Sequence, residues 1–142
     1  ALPEQMQAAA EDGTLQPNDV TNVNPSWAWA AGAGISTAND LVTWVQALVG
    51  GKLLGADLQA QRLASVQPTS PDRGSAEYGW GIAKMGPMFG HTGELPGFNS
   101  FMGHDPVNKV TLVVWANLAP AANGQDPATT MAKEIIGKVY PA

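Results

Sequence analysis

One short run of residues combines a side chain suited to acid–base chemistry with a backbone suited to binding a substrate. The run is Gly90-His91-Thr92-Gly93-Glu94, followed by Leu95-Pro96-Gly97-Phe98. Histidine is the side chain that changes charge near neutral pH, so His91 could bind a substrate carboxylate as a cation or help to protonate a leaving group. Thr92 offers a hydroxyl group to a substrate carboxylate or carbonyl, and Gly93 would let a substrate backbone approach closely. The alternative is that His91 only hydrogen-bonds neighbouring backbone.

Other common kinds of catalytic site find no support in the 142 residues. The chain contains no cysteine, which excludes thiol catalysis, disulfides and cysteine-ligated metals. Its two histidines, His91 and His104, have no partner at metal-ligand spacing, so we expect no metal site. There is no phosphate-binding loop, and Ser36 is better explained as a helix cap than as a nucleophile. We therefore expect neither a metal nor an organic cofactor.

Charge and hydropathy exclude further partners. The net charge is −5 and the seven lysines and arginines are scattered along the chain. Such a surface would not displace counterions from nucleic acid or bind an anionic membrane, so we expect no nucleic-acid partner. No apolar run approaches the roughly 20 residues that a membrane-spanning helix needs.

The elements that must position the motif are helical before it and extended around it. Residues 1–35 contain many Pro, Gly and Asn residues and are predicted to be irregular. Residues 36–66 are predicted to be helical: Ser36 or Thr37 caps a first helix, whose apolar stripe is Leu41, Trp44, Val45 and Leu48. A second helix is predicted from about residue 56 to residue 66, before Pro68.

The rest of the chain is predicted to form antiparallel strands and a last helix. Residues 77–117 alternate in a strand-like pattern, with a turn at 105–108 and a strand at 109–116 that is apolar enough for burial on both faces. Asp126-Pro127 begins a helix over residues 126–140, with an apolar stripe of Met131, Ile135, Ile136 and Val139. The predicted fold class is α+β, an antiparallel sheet flanked by helices, within one domain over residues 1–142.

The remaining aromatic and histidine residues are expected to be structural. The five tryptophans could line a sugar-binding face, but their helix and strand spacing favours core anchors; they are Trp27, Trp29, Trp44, Trp80 and Trp115. The stretch Tyr78-Gly79-Trp80-Gly81 is interpreted as a strand shaped for close packing. We expect His104, at a strand end before a turn, to lie on the surface.

Four segments in this order resemble the serine β-lactamase family, particularly class C β-lactamases, DD-carboxypeptidases and related esterases. They are the stretch 32–41, the stretch 78–81, His91-Thr92-Gly93 with Pro96-Gly97-Phe98, and an apolar strand ending in Asn117. The resemblance covers about residues 30–140. It implies the C-terminal part of the β-lactamase/transpeptidase-like fold.

The resemblance also implies roles for the motif. Family members carry Lys-Thr-Gly or His-Thr-Gly on a strand beside the active site, and His91-Thr92-Gly93 matches that triplet. By the same analogy His91 is a catalytic residue, and Thr92 and Gly93 bind substrate. The backbone N–H of Glu94 would be one donor of the oxyanion hole, which stabilises the negative charge that develops on the substrate oxygen.

Two other motifs of the family are absent. No serine is followed three residues later by lysine, and neither Tyr78 nor Tyr140 is followed two residues later by asparagine. Both motifs normally lie N-terminal to this region, so the chain looks like a fragment that would be inactive alone. We expect its partner to be the N-terminal half of the same protein, as a separate chain or in a swapped dimer, because an uncovered apolar strand edge invites pairing.

The sequence thus favours a serine acyl-hydrolase that cleaves a β-lactam, a D-alanyl peptide or an ester through an acyl-enzyme. The alternative is a non-catalytic module of the same fold that binds cell-wall peptide or glycan. Relatives of this kind are usually exported, so the resemblance implies the bacterial cell envelope or the extracellular space.

Overall fold

A computed structural model describes residues 3–71 and 76–141, without the side chain of Gln5. The chain forms two compact units, each built from more than one stretch of sequence. The first comprises Ala1–Ile35, Gly93–Ser100 and Val114–Ala142, and the second comprises Ser36–Thr92 and Phe101–Val113. Within the described ranges, no helix has both the length and the apolar character needed to cross a bilayer.

The secondary structure is a set of helices and one antiparallel sheet, which confirms the predicted α+β class. The helices are α1 (Glu4–Glu11), a 3-10 helix (Pro25–Ala28), α2 (Trp29–Gly32), α3 (Ala38–Val49), α4 (Ala56–Ala64) and α5 (Pro127–Val139). The strands are β1 (Gln67–Pro68), β2 (Glu77–Tyr78), β3 (Ala83–Met85), β4 (Met88–Leu95), β5 (Phe98–His104) and β6 (Thr111–Ala116). They lie in the sheet in chain order, β1 to β6.

The first 35 residues are more ordered than predicted. The prediction of an irregular stretch is wrong for 4–11, which form α1, and for 25–32, which form the 3-10 helix and α2. Residues 4–11 read EQMQAAAE, and Glu, Gln, Met and Ala are all good helix formers. The turn residues that surround this segment obscured its local helix propensity.

Helix α3 begins as predicted. The Thr37 hydroxyl accepts a hydrogen bond from the backbone N–H of Asp40, so Thr37 rather than Ser36 is the cap. Val45 and Val49 of this helix pack with Ile82 in the core of the second unit, but Trp44 is 48% exposed and does not belong to the buried face. Helix α4 ends at Ala64, two residues earlier than predicted, because Gln67 and Pro68 pair with β2 instead.

The buried face of helix α5 includes Ile136 of the predicted stripe but is otherwise formed by alanines. Its buried residues are Ala128, Ala132 and Ile136, whereas Met131 is 55% exposed and Val139 48% exposed. The buried set has a spacing of four, which defines one face of a helix as well as the predicted stripe does. Small alanines on that face were not recognised because larger apolar side chains nearby gave a stronger pattern.

The tryptophans are not core anchors. Exposure is 62% for Trp27, 83% for Trp29 and 50% for Trp115, with Trp44 and Trp80 also exposed. Burial of the last strand on both faces is likewise wrong, since Val114 is the buried residue of β6 and Trp115 points outward.

His104 is buried, not on the surface. It is 6% exposed at the end of β5, and its Nδ1 lies 2.9 Å from the Thr111 hydroxyl. The predicted turn after it is present, because the Asp105 carboxylate accepts hydrogen bonds from the backbone N–H groups of Val107 and Asn108.

Candidate active site

The predicted motif lies on strand β4. Along it His91 and Gly93 are half-buried, whereas Thr92 and Glu94 are exposed. Strand β3 pairs with β4 through Met85–Met88, Lys84–Phe89 and Ala83–Gly90, so the motif begins where that register ends. His91, Thr92, Gly93 and Glu94 therefore form a continuous extended segment with alternating exposure.

Gly90, directly before His91, is required by a close approach of two backbones. A Cβ at this position would lie 1.9 Å from the Met102 carbonyl oxygen and 2.8 Å from the Gly103 Cα. Neither atom belongs to a flexible side chain, so no larger residue fits. Gly90 thereby sets the distance between β4 and β5 just before the motif.

The peptide between Gly93 and Glu94 is held by a buried asparagine. Asn99 is 3% exposed, and its Nδ2 donates a hydrogen bond of 3.1 Å to the Gly93 carbonyl oxygen. In a trans peptide the C=O and the following N–H point in opposite directions. The Glu94 N–H, the candidate oxyanion donor, is therefore directed away from Asn99.

Asn99 also caps helix α5. Its Oδ1 accepts hydrogen bonds from the backbone N–H groups of Ala128, at 2.8 Å, and Thr129, at 3.3 Å. Asp126, which residue type marks as the cap, makes no side-chain cap bond. The Asn99 side chain thus provides an acceptor for two free N–H groups in the first turn of α5 and a donor for the Gly93 carbonyl, which precedes the candidate oxyanion donor. No local pattern predicts this pairing, since Asn99 and Ala128 are 29 residues apart.

The space beside Gly93 has a different occupant from the expected substrate. A Cβ on Gly93 would lie 2.6 Å from the hydroxyl oxygen of Ser100. A side chain at position 93 would therefore require the Ser100 hydroxyl to rotate away.

His91 makes two polar contacts within the second unit. Its Nε2 lies 2.8 Å from the Tyr78 hydroxyl oxygen, and its Nδ1 contacts the backbone carbonyl oxygen of Thr92. The Tyr78 and His91 rings also meet edge to face, with centroids 5.5 Å apart and an interplanar angle of 79°. No such partner for His91 was predicted.

A sheet register accounts for this contact. Ala83 of β3 lies opposite both Tyr78 of β2 and Gly90 of β4. His91 directly follows Gly90, so Tyr78 and His91 lie at nearly the same level, two strands apart. A correct prediction of the β2–β3–β4 meander from the turns at 79–82 and 86–87 could have found the pair.

A cavity of about 690 Å³ lies in the first unit, close along the chain to the motif. It is lined by residues between 6 and 21, by residues 96–98 of the β4–β5 turn, and by residues between 117 and 122. Most of the lining is apolar, and Asn117 and Asp19 add polar groups. Its volume is that of a small-molecule site. Residues 91–94 are not part of its lining.

Metal ligation has no candidate in the part of the chain that the structure describes. Within residues 3–71 and 76–141, no three His, Asp or Glu side chains come together in a way that could hold an ion. The motif and its contacts offer the imidazole of His91, the hydroxyl groups of Tyr78 and Thr92, and the backbone N–H and carboxylate of Glu94.

Comparison with known proteins gives matches to both sequence and structure. The family model described as Beta-lactamase matches residues 2–134. Among solved structures, the chain is similar to the D-amino acid amidase from Ochrobactrum anthropi SV3 in complex with D-phenylalanine, with a TM-score of 0.51 and 28% sequence identity. That match covers 62% of this chain and 31% of the amidase chain. The chain thus corresponds to less than a third of the amidase.

Proposed function

The chain belongs to the β-lactamase family, and we propose that it supplies the His91-Thr92-Gly93 strand of a serine acyl-hydrolase active site. The family match and the similarity to an amidase support a hydrolase of the serine type. The finer proposal is that the complete enzyme cleaves a β-lactam, a D-amino acyl amide or peptide, or an ester through an acyl-enzyme intermediate. The nucleophilic serine and its lysine would come from a part of the fold that these 142 residues do not contain.

The observation that carries this proposal is the Gly93–Glu94 peptide. Because the buried Asn99 side chain holds the Gly93 carbonyl, the Glu94 N–H is fixed in direction before any substrate arrives. A preorganised N–H stabilises a developing oxyanion without having to reorient during the reaction. Removing one such donor typically costs about 3–4 kcal/mol of transition-state stabilisation.

The other residues of the motif have roles that fit this chemistry. Thr92 is exposed, and its hydroxyl would bind the substrate carbonyl or carboxylate. His91 would hold or move a proton during transfer of the acyl group. Gly93 would present only backbone to the acyl group, with the Ser100 hydroxyl lying where a Gly93 side chain would otherwise be.

The remaining part of the fold, with the serine and its lysine, would come from the N-terminal half of the same protein, either as a separate companion chain or from a partner in a swapped dimer that carries this half. Strand β6 lies at the edge of the sheet and exposes half of Trp115. An uncovered edge with an exposed aromatic side chain favours pairing with another chain. Sedimentation of the 142-residue chain tests this proposal: self-association or binding of the companion is expected, whereas a stable monomer that binds no companion contradicts it. From the family resemblance alone, we propose that the complete protein is exported to the bacterial cell envelope or the extracellular space.

The enzymatic proposal is tested on the complete protein by covalent labelling and by turnover. We expect labelling by a fluorescent penicillin or by a chromogenic ester, and hydrolysis of at least one substrate from a panel of β-lactam, D-phenylalanine amide, D-alanyl peptide and p-nitrophenyl ester. Replacing Thr92 by Val should lower kcat/KM, whereas Thr130→Val, at an exposed position in α5, should leave it unchanged. No labelling and no turnover by a folded complete protein would exclude the enzyme.

A second candidate function is a non-catalytic binding module for cell-wall peptide or glycan. It is favoured by the exposure of Trp27 and Trp29, since exposed indole rings stack on sugars and peptides. Quenching of tryptophan fluorescence by muropeptides, lost in Trp27→Ala and without covalent labelling, would support this function over catalysis.

A further inference from the structure

The two contacts of His91 determine which of its ring nitrogens carries the proton. The Thr92 carbonyl oxygen can only accept a hydrogen bond, so Nδ1, which contacts it, must be the N–H donor. A neutral imidazole has one N–H group, and Nε2 is then an acceptor. The Tyr78 hydroxyl, 2.8 Å from Nε2, must therefore donate its hydrogen to the ring.

We propose that Tyr78 is a positioning residue that, together with the Thr92 carbonyl, holds neutral His91 in its Nδ1–H tautomer. The edge-to-face contact of the two rings supports the same orientation, because it fixes the plane of the imidazole as well as its nitrogen contacts. The register of β2, β3 and β4 supplies the framework, since it fixes the level of Tyr78 relative to Gly90 and thus to His91.

This arrangement changes the part that His91 can play. With Nδ1 bonded to Thr92 and Nε2 bonded to Tyr78, neutral His91 has no N–H left to offer to a substrate. The exposed member of the pair is Tyr78, whose hydroxyl oxygen keeps lone pairs that can accept a hydrogen bond. In terms of the proposed function, on which this step rests, a proton would pass to or from the imidazole through Tyr78. The hydroxyl takes one proton from the reacting group as it gives its own to Nε2, so Tyr78 stays neutral and His91 becomes the cation.

The tautomer can be measured on the 142-residue chain itself, without any activity. Long-range ¹H–¹⁵N spectra at about pH 8.5, roughly two units above the ordinary histidine pKa, distinguish a protonated ring nitrogen from an unprotonated one. We expect the His91 Nδ1 signal to be of the protonated type and the Nε2 signal of the unprotonated type. Comparison with His91→Gln assigns the signals, and His104 serves as an internal reference.

The variant Tyr78→Phe removes the donor to Nε2 and keeps the aromatic ring. We expect the Nε2 resonance to shift and the ratio of the Nδ1–H to the Nε2–H tautomer to fall roughly three- to tenfold, the effect of one lost hydrogen bond. Tyr140→Phe, at the end of α5, should leave the His91 signals unchanged. An Nε2–H tautomer in the wild-type chain overturns the proposal even if the variant fails to fold, and so does a folded Tyr78→Phe variant with the wild-type tautomer ratio. A loss of hydrolytic activity in the complete protein would leave this result untouched, so the two proposals fail separately.

Discussion

Asn99 shows how one buried side chain can serve both stability and the candidate site. Its amide uses the donor for the Gly93 carbonyl and the acceptor for the first turn of α5. Both partners are backbone groups, so removing the amide removes both sets of bonds at once.

Replacing Asn99 by Ala should therefore destabilise the chain clearly. The loss of the helix cap costs about 1 kcal/mol, and leaving the Gly93 carbonyl without its donor costs about 1–3 kcal/mol. Urea unfolding followed by circular dichroism measures the sum. Asn39→Ala, an exposed position in α3, is the matched control and should change stability by less than about 0.5 kcal/mol. Equal midpoints for the two variants would show that the Asn99 bonds contribute little.

Single residues also show the limit of reading chemistry from sequence. The triplet His91-Thr92-Gly93 could be recognised because its residue types and order are local. The partners Tyr78 and Asn99 could not, because their contacts depend on strand register and on the arrival of a helix 29 residues away from Asn99. The function of the motif itself stays a prediction from resemblance.

At the scale of elements, glycine acts in opposite ways in β4 and α5. A Cβ on Gly90 would clash with the backbone of the neighbouring strand, 1.9 Å from the Met102 carbonyl oxygen. A Cβ on Gly137 would meet no atom within 4 Å. The same substitution by Ala is therefore excluded at one position and favourable at the other.

Gly90→Ala should prevent normal pairing of β4 with β5 and cost more than about 3 kcal/mol, beyond ordinary overpacking, because the obstructing atoms belong to the backbone. Gly137→Ala should stabilise the chain by about 0.5–1 kcal/mol, because alanine is the better helix former. Thermal unfolding of the two variants beside the wild type is the measurement. A Gly90→Ala chain that melts at the wild-type temperature would mean that β4 and β5 do not approach as closely as described.

Elements with local signals were predicted well, and those without were not. The Thr37 cap and the turn at 105–108 are each set by residues close in sequence. Helix α5 does begin at Pro127, as predicted, but its side-chain cap is Asn99 rather than Asp126. The buried face of α5 and the burial of β6 depend on which elements pack against them. The positions of large apolar residues therefore did not predict which of these side chains are buried. Met131 and Trp115 are large and apolar, yet both are at least half exposed.

At the scale of the whole molecule, the fold class followed from the order of helical and alternating segments, but burial did not. Five exposed tryptophans reverse the usual preference of that residue type, which is highly buried on average, and His104 is buried although histidine has no strong preference. Hydropathy predicts which types of side chain are buried on average. Whether a particular side chain is buried depends on which other elements of the fold pack against it.

The buried histidine gives a prediction for stability as a function of pH. Burial lowers the pKa of His104, the positive charge of Lys109 acts in the same direction, and a backbone contact to Val110 and the Asp105 carboxylate oppose both. In the unfolded chain His104 has its ordinary pKa. As the pH decreases, His104 therefore takes up its proton more readily in the unfolded chain than in the folded one. Stability is therefore full above about pH 6.5 and falls as the pH decreases below it, with a slope set by the difference in bound protons.

Urea midpoints at about pH 7.5 and pH 5.5 isolate this effect, because most carboxylates remain ionised over that interval. We expect the wild-type chain to lose more stability between the two values than His104→Gln, in which an amide can still bond the Thr111 hydroxyl but cannot take up the proton. Any contribution from His91 is common to both proteins and cancels in the comparison. The same loss in wild type and variant would contradict this prediction. It would mean that His104 is as easily protonated in the folded chain as in the unfolded one, and that the charged side chain moves out of its buried position beside Thr111.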